Sequence, residues 1–165
     1  MNPRTIGVAL SLLFALFAVA GSASLGAQDL SPAQAAAIRQ GVQGALDAIR
    51  EHSAAGRWDD LLRLYADEPD FRWISNGAVA ASSVAEIRKY YKGLAEGTRV
   101  EQSYQNPEIT PVAPGVAEVV TPFQTRLVDP KGPGFSFGGF LTMTFVQRAD
   151  GWKILRGHAS GRQNN

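Results

Sequence analysis

The chain divides at about residue 98 into a helical first part and a strand-rich second part. Ser31-Pro32 marks a helix start, because serine caps a helix N-terminus and proline is tolerated in the first turn. Apolar residues then recur at helical spacing as far as Ile49, and Gly56 is a suitable terminator. Beyond residue 98 this period disappears, and turn residues separate strand-like runs near 99–110, 116–128, 135–148 and 151–160. Consecutive strands joined by short turns predict an antiparallel meander.

The segment between these two parts predicts two short helices and a hairpin. A second helix begins at Trp58 and ends before Pro69. Residues 71–75 are rich in aromatic and β-branched side chains, and Asn76-Gly77 is the dipeptide that a tight type I′ turn prefers. A third helix follows Ser82 or Ser83 and is closed by Gly97. Helices, one hairpin and a long curved sheet together predict an α+β fold in which the helices cover one sheet face.

The first 27 residues have the pattern of a secretory signal peptide. Arg4 precedes an apolar run over residues 6–20, and small residues follow up to Ala27. The run is shorter than the roughly 20 residues that a membrane-spanning helix needs. We therefore expect a signal peptide over residues 1–27 and a mature domain over residues 28–165. The mature protein is expected to be exported, to a periplasm or out of the cell, and to keep no stable membrane span.

Composition narrows the possible functions of the mature domain. The chain has no cysteine, which excludes a disulfide framework and a thiol nucleophile. Without Arg4, 15 of the 16 basic residues remain against 15 acidic residues, so nucleic acid is not an expected partner. The two histidines show no metal-ligand spacing, and the glycine-rich segment 131–140 lacks the lysine and hydroxyl of a phosphate loop. The sequence therefore predicts neither a metal site nor a cofactor.

The last predicted strand supplies the candidate polar site residues. Side chains alternate between the two faces of a strand, so strict alternation places Trp152, Ile154, Arg156 and His158 on one face. A face that begins apolar and becomes cationic fits a strand that runs from a core towards the mouth of a cavity. There Arg156 could hold an anionic group and His158 could act as a general base. A histidine at this position could equally hydrogen-bond the backbone and have a purely structural role.

Three stretches resemble the SnoaL-like branch of the nuclear transport factor 2-like superfamily. They are residues 55–67 (AGRWDDLLRLYAD), the hairpin with the helix that follows it, and residues 150–160, which contain DGWKI and HAS. The resemblance implies a cone-shaped fold with a largely apolar pocket between the helices and the concave sheet face. It implies that the pocket residues are Phe71, Trp73, Tyr91, Arg156 and His158. It also implies a homodimer through the outer sheet face, which bears Thr142, Thr144 and Val146.

Three functions are compatible with this sequence. The first is a binding protein for a small, partly apolar and possibly anionic ligand. The second is an enzyme of the hydrolase, isomerase or cyclase type that uses His158, and the third is a non-catalytic dimeric interaction protein. The resemblance argues against ketosteroid isomerase chemistry, because the position of the catalytic base falls on Trp73 and that of the tyrosine donor on Ile49.

Overall fold

The computed structural model describes residues 29–132 and 134–163. The predicted signal peptide lies outside these residues. Within them the chain forms three helices, α1 (Pro32–Ala54), α2 (Trp58–Leu62) and α3 (Val84–Lys92). No helix in this part of the chain is both long enough and apolar enough to cross a bilayer.

Local sequence signals account for the ends of α1 and α3. The Ser31 hydroxyl accepts a hydrogen bond from the backbone N–H of Gln34, whose side chain accepts one from the backbone N–H of Ser31 in return. After α1, Gly56 adopts a left-handed conformation with φ of 66°. At α3, the Ser83 hydroxyl accepts a hydrogen bond from the backbone N–H of Glu86, and the Glu86 carboxylate accepts one from the backbone N–H of Ser82. The predicted end at Gly97 is wrong, because α3 ends at Lys92.

The described residues form a seven-stranded sheet. Its strands are β1 (Arg72–Ser75), β2 (Ala78–Ala81), β3 (Arg99–Tyr104), β4 (Glu108–Ala113), β5 (Val116–Val128), β6 (Phe135–Arg148) and β7 (Gly151–Gln163). The strand order is β2-β1-β7-β6-β5-β3. Strand β3 pairs with the second half of β5, and β4 pairs with the first half of β5 along the same edge. All pairs are antiparallel except β1 with β7, which is parallel. The predicted α+β fold with a mainly antiparallel sheet is therefore confirmed.

The sequence predicted one of two turns in the sheet correctly and missed the other. The hairpin turn is confirmed, since Asn76 and Gly77 both have positive φ angles, of 52° and 76°, as a type I′ turn requires. The single strand predicted over residues 99–110 is instead two strands. Asn106 has a φ of 48° and interrupts the edge between β3 and β4, while the Gln105 N–H still donates to the Pro122 carbonyl.

The core lies between α1 and the concave face of the sheet. From α1, Val42, Leu46 and Ile49 are buried against concave residues that include Met143 and Phe145. Close approach of α1 to β7 depends on a glycine. A Cβ atom at Gly41 would lie 2.3 Å from Nε1 of Trp152, so any larger residue would displace the indole. The helices therefore pack directly on the strand that was predicted to carry the site.

A β-bulge in β7 reverses which residues face the core. Ile154 pairs with Phe145, but Arg156 pairs with Thr144, so Leu155 is an extra residue in the β7 ladder. The bulge lies where β7 changes neighbour. Before it, Ile154 exchanges backbone hydrogen bonds with Leu64 and Ala66, and after it β7 pairs with β1. Beyond Leu155 the concave face is therefore formed by Gly157, Ala159 and Gly161. Trp73 packs on Gly157, and Ala159 and Gly161 line the cavity.

The bulge corrects one prediction about the site. Arg156 and His158 were expected on the same face as Ile154, inside the cavity. Both are exposed and lie on the outer face of the sheet, because the extra residue shifts the alternation by one position. Neither lines the cavity.

Candidate functional site

The candidate site is a cavity of about 400 Å³ between the helices and the concave face of the sheet. This volume is within the range of small-molecule pockets. Most of the side chains around the cavity are apolar or aromatic. Its walls include Trp73 from β1, Phe123 from β5, and Phe137, Leu141 and Met143 from β6.

Aromatic rings shape the end of the cavity near β1. The indole of Trp73 meets the ring of Tyr65 nearly edge to face, with centroids 6.1 Å apart and planes at 71°. On another side of Tyr65 lies Phe71, with centroids 5.9 Å apart. Phe71 is fully buried and does not line the cavity, so it supports Tyr65 from behind. The backbone of Tyr65 is fixed in turn by the short parallel bridge to Ile154.

Two buried tyrosines line this cavity. Tyr65 and Tyr91 are 6% and 8% exposed. Burial raises the pKa of each phenol far above its usual value, and each phenol also affects the pKa of the other. The face of the Tyr91 ring is held by Trp58, which stacks on it with centroids 4.8 Å apart. At neutral pH the pair is therefore uncharged and fixed in position, and it can donate hydrogen bonds.

A second polar group projects into the cavity from β3. Val100, Gln102 and Tyr104 alternate onto the concave face, and the Tyr104 hydroxyl donates to Oε1 of Gln102 at 2.5 Å. Burial raises the pKa of Tyr104, with a smaller opposing effect from the Arg50 guanidinium. Because the Gln102 carbonyl oxygen already accepts this bond, its amide N–H groups are the part left to meet a ligand.

The cavity opens between α3, the β1–β2 hairpin and the start of β6. Tyr90 and Phe135 at this mouth are 55% and 53% exposed. Glu86 is the only charged residue among the described residues that line the cavity. Its carboxylate accepts a hydrogen bond from the backbone N–H of Ser82 at 2.6 Å and so serves to cap α3. Within the described part of the chain, no cluster of His, Asp and Glu residues could hold a metal ion.

The structure brings together only some of the residues that the sequence predicted. Trp73 and Tyr91 line the cavity, Phe71 lies behind Tyr65, and Arg156 and His158 lie outside it.

The cavity residues that the sequence analysis did not identify include Tyr65, Gln102 and Tyr104. The alternation of Val100, Gln102 and Tyr104 in a strand-like run was a signal that could have identified two of them. Tyr65 gave no such signal, because its position was interpreted as part of the apolar stripe of a helix. In the structure α2 ends at Leu62, and the segment after it pairs with β7 instead.

Comparison with known proteins agrees with this architecture. The family model for the SnoaL-like domain matches residues 42–162. A conserved protein from Planctomyces limnophilus has a TM-score of 0.68 and 17% identity, covering 78% of this chain and 99% of that one. A nuclear transport factor 2-like superfamily protein from Salmonella enterica has a TM-score of 0.65 and 14% identity, covering 79% and 94%.

A further similar structure is a ketosteroid isomerase-like protein from Erwinia carotovora. Its TM-score is 0.61 with 16% identity, and the match covers 76% of this chain and 96% of that one. No curated protein matches the chain. At these identities the solved structures show a shared fold, whereas the family model matches most of the chain. The chain therefore belongs to the SnoaL-like domain family and has the cone-shaped α+β fold of the nuclear transport factor 2-like superfamily.

Proposed function

We propose that this protein is exported and binds a small, largely apolar molecule in the cavity between the helices and the sheet. The observation that carries the proposal is the cavity itself, about 400 Å³ in volume, with aromatic walls that include Tyr65 and Tyr91. Apolar walls with a few fixed polar groups are typical of ligand-binding sites.

Binding is favoured over catalysis by the chemistry of the polar groups. A general base must lie within hydrogen-bond reach of the proton that it removes, and His158 is on the opposite face of the sheet from the cavity. The buried phenols of Tyr65 and Tyr91 have raised pKa values, so they are poor proton donors in the acid–base sense and are not ionised as bases. They are suited to orient a ligand through neutral hydrogen bonds.

Native mass spectrometry of the mature protein, purified from its own host, tests this function. Wild type is expected to carry a bound small molecule. Ala159→Phe should lose it, because Ala159 lines the cavity and a phenyl ring would occupy the space. An Arg156→Ala, His158→Ala double variant is the control from the outer face and should keep the ligand. Loss of the ligand from the control but not from the folded Ala159→Phe protein would contradict the proposal.

We further propose that the protein is a homodimer that pairs through the outer face of the sheet. A row of residues crosses this face from Val120 through Thr142 and His158 to Ile74. Val120, Ile74 and the nearby Phe140 are 40%, 36% and 56% exposed, which is an unusual amount of apolar surface for one side of a sheet. Such a face is self-complementary in a two-fold dimer.

Sedimentation velocity tests the dimer with a matched pair of substitutions in one strand. Phe140 and Phe135 are similarly exposed, but Phe140 is on the outer face and Phe135 is at the cavity mouth. Phe140→Glu should dissociate the wild-type dimer, whereas Phe135→Glu should leave it intact. A monomeric wild type, or a dimer that survives Phe140→Glu, would refute this arrangement.

Export is proposed from residues 1–27 and is tested separately. N-terminal sequencing of the protein recovered from a cell fraction outside the cytoplasm should begin near Gln28. A protein that retains Met1 and stays in the cytoplasm would contradict it.

A further inference from the structure

Arg156 is an exposed cation on the outer face of the sheet, away from the cavity. It forms no salt bridge with any residue that the structure describes. Its neighbour in register on β1 is a second cation, Arg72, whose guanidinium donates to the carbonyl oxygens of Pro69 and Phe71 at 2.8 and 2.5 Å. Adjacent like charges destabilise a sheet, so a carboxylate beside Arg156 would be favourable. Arg156 is therefore open to an acidic partner.

The row of outward residues that contains Arg156 also contains an acid. From Arg156 on β7 the row passes through Thr144 on β6 to Glu118 on β5. Neighbouring strands are about 4.8 Å apart, so the two charged residues are separated by roughly 10 Å. Glu118 is exposed as well, and in the described part of the chain it has no salt-bridge partner. One acid and one base thus lie at equal distances on either side of β6.

A two-fold axis along β6 joins these charges in pairs. An axis that lies between two facing sheets and parallel to β6 places β5 of each copy over β7 of the other copy. Because Glu118 and Arg156 belong to the same row, the carboxylate of each copy then meets the guanidinium of the other, and two ion pairs form together. An axis across the strands would place Glu118 over a different row and leave both charges unpaired.

The shape and composition of the outer face fit an axis at this position. The cavity side of the sheet is concave, so the outer face is convex and two copies touch first near the middle of the sheet. Strand β6 lies there, between the other two long strands. Its outward residues include Thr142 and Phe140, and Phe140 is 56% exposed. Contact between the two copies of Phe140 buries apolar surface at the axis, while the ion pairs beside the axis fix the register.

We infer that two copies of this chain pair about an axis along β6, with Glu118 of each copy bound to Arg156 of the other. The inference rests on the proposed homodimer and adds the arrangement of the copies and the residues that select a second copy as the partner. An acid and a base placed symmetrically about one strand are complementary to themselves under two-fold symmetry, whereas an unrelated partner would have to carry the same two charges at the same spacing.

Charge reversal tests the two ion pairs by sedimentation velocity over a concentration series. Glu118→Arg and Arg156→Glu each place like charges opposite each other at two points of the interface. Each variant should therefore raise the Kd of the dimer at least about tenfold. Glu96→Arg is the matched control, because it makes the same change in net charge at an exposed residue in the loop between α3 and β3. The control should leave the Kd within about threefold of the wild-type value.

Restoring the opposite charges should restore the dimer. The double variant Glu118→Arg, Arg156→Glu has both pairs in reversed orientation, so its Kd should return to within about threefold of the wild-type value. An equimolar mixture of the two single variants should form the heterodimer in preference to either homodimer, as measured by native mass spectrometry, because only the heterodimer matches both pairs. If a reversal prevents folding, Glu118→Gln and Arg156→Gln should each still raise the Kd about twofold or more.

The outcomes separate this inference from the proposed homodimer. A monomeric wild type, or a dimer that survives Phe140→Glu, would overturn both. If Phe140→Glu dissociates the dimer but the charge reversals act no more strongly than Glu96→Arg, the outer-face dimer stands and the pairing of Glu118 with Arg156 is wrong. Failure of the double variant to recover, with no preference for the heterodimer in the mixture, would also overturn the pairing.

Discussion

Gly157→Ala tests the strand bulge and the wall of the cavity in one experiment. In the structure Gly157 is buried and faces Trp73, and an added Cβ atom would lie 2.2 Å from Cζ3 and 2.3 Å from Cε3 of the indole. Real Cβ atoms do not approach other atoms so closely. The Trp73 backbone pairs with Gly157 in the sheet, so the indole itself must rotate away, towards Tyr65 and the cavity.

The size of the effect follows from two opposing contributions. Overpacking of this kind costs about 1–3 kcal/mol in the free energy of unfolding. Replacement of a strand glycine with alanine returns about 0.5–1 kcal/mol, because the unfolded chain loses conformational freedom. The expected net loss of stability is therefore about 0–2.5 kcal/mol.

Urea unfolding followed by circular dichroism measures this loss, and a double-mutant cycle identifies its cause. Trp73→Leu removes the ring atoms that clash, so Gly157→Ala should be much less destabilising in the Trp73→Leu background than in wild type. The coupling should be at least about 0.5 kcal/mol. His158→Ala is the control, because His158 follows Gly157 in β7 but is exposed on the outer face. This variant should change the free energy of unfolding by no more than about 0.5 kcal/mol.

Strict alternation from Ile154, without the bulge, would place Gly157 on the outer face. In that case alanine would be harmless or mildly stabilising and would show no coupling to Trp73. A stabilising effect, or the absence of coupling, would refute the assignment of faces in β7, and with it the removal of Arg156 and His158 from the cavity.

Two further predictions use other features of the core. In α1, the clash of Gly41→Ala with Trp152 costs about 1–3 kcal/mol and the gain in helix propensity returns up to about 1 kcal/mol, so this variant should lower the free energy of unfolding by about 0–2 kcal/mol. Gly44→Ala, whose Cβ would meet no atom within 4 Å, should raise it by up to about 1 kcal/mol, and equal effects in urea unfolding would refute the close approach. The pKa values of Tyr65 and Tyr91 are higher in the folded state than in the unfolded state, so the unfolded state loses its phenol protons at a lower pH. The stability that these two phenols contribute is therefore full below pH about 10 and is lost as the pH rises towards the folded pKa values. Above pH 10 the stability of wild type should therefore fall more steeply than that of a Tyr65→Phe variant, and parallel curves would contradict the burial of this phenol.

Much of the local structure could be predicted because short-range interactions decide it. The Ser31 cap depends on a residue three positions away, and the Asn76-Gly77 turn on two residues that tolerate positive φ. Strand β6 was predicted with its observed limits, since the alternation of apolar and polar residues and the turns around it lie in one stretch of sequence. The family resemblance, which the match over residues 42–162 confirms, rested on such local stretches.

The placement of the site could be predicted only in part. Trp73 and Tyr91 line the cavity as the family resemblance implied, although no local pattern in the sequence assigned either residue to it. Alternation alone gave the wrong face for Arg156, because a leucine at position 155 does not indicate a bulge. The one available signal was Gly157, a glycine in a strand interior, which often marks a bulge or a close contact.

The sequence by itself determined the fold class, the ends of α1, the hairpin turn and the limits of β5 and β6, since caps, turn residues and periodicity act over a few residues. Only the tertiary structure decided which residues meet in the cavity. The bulge at Leu155 lies where the neighbour of β7 changes from the 64–66 segment to β1. The cavity combines Tyr65, from the segment after α2, with Tyr91 from α3. Both arise from contacts between segments distant in the chain, where pairing and packing of the whole sheet set the register.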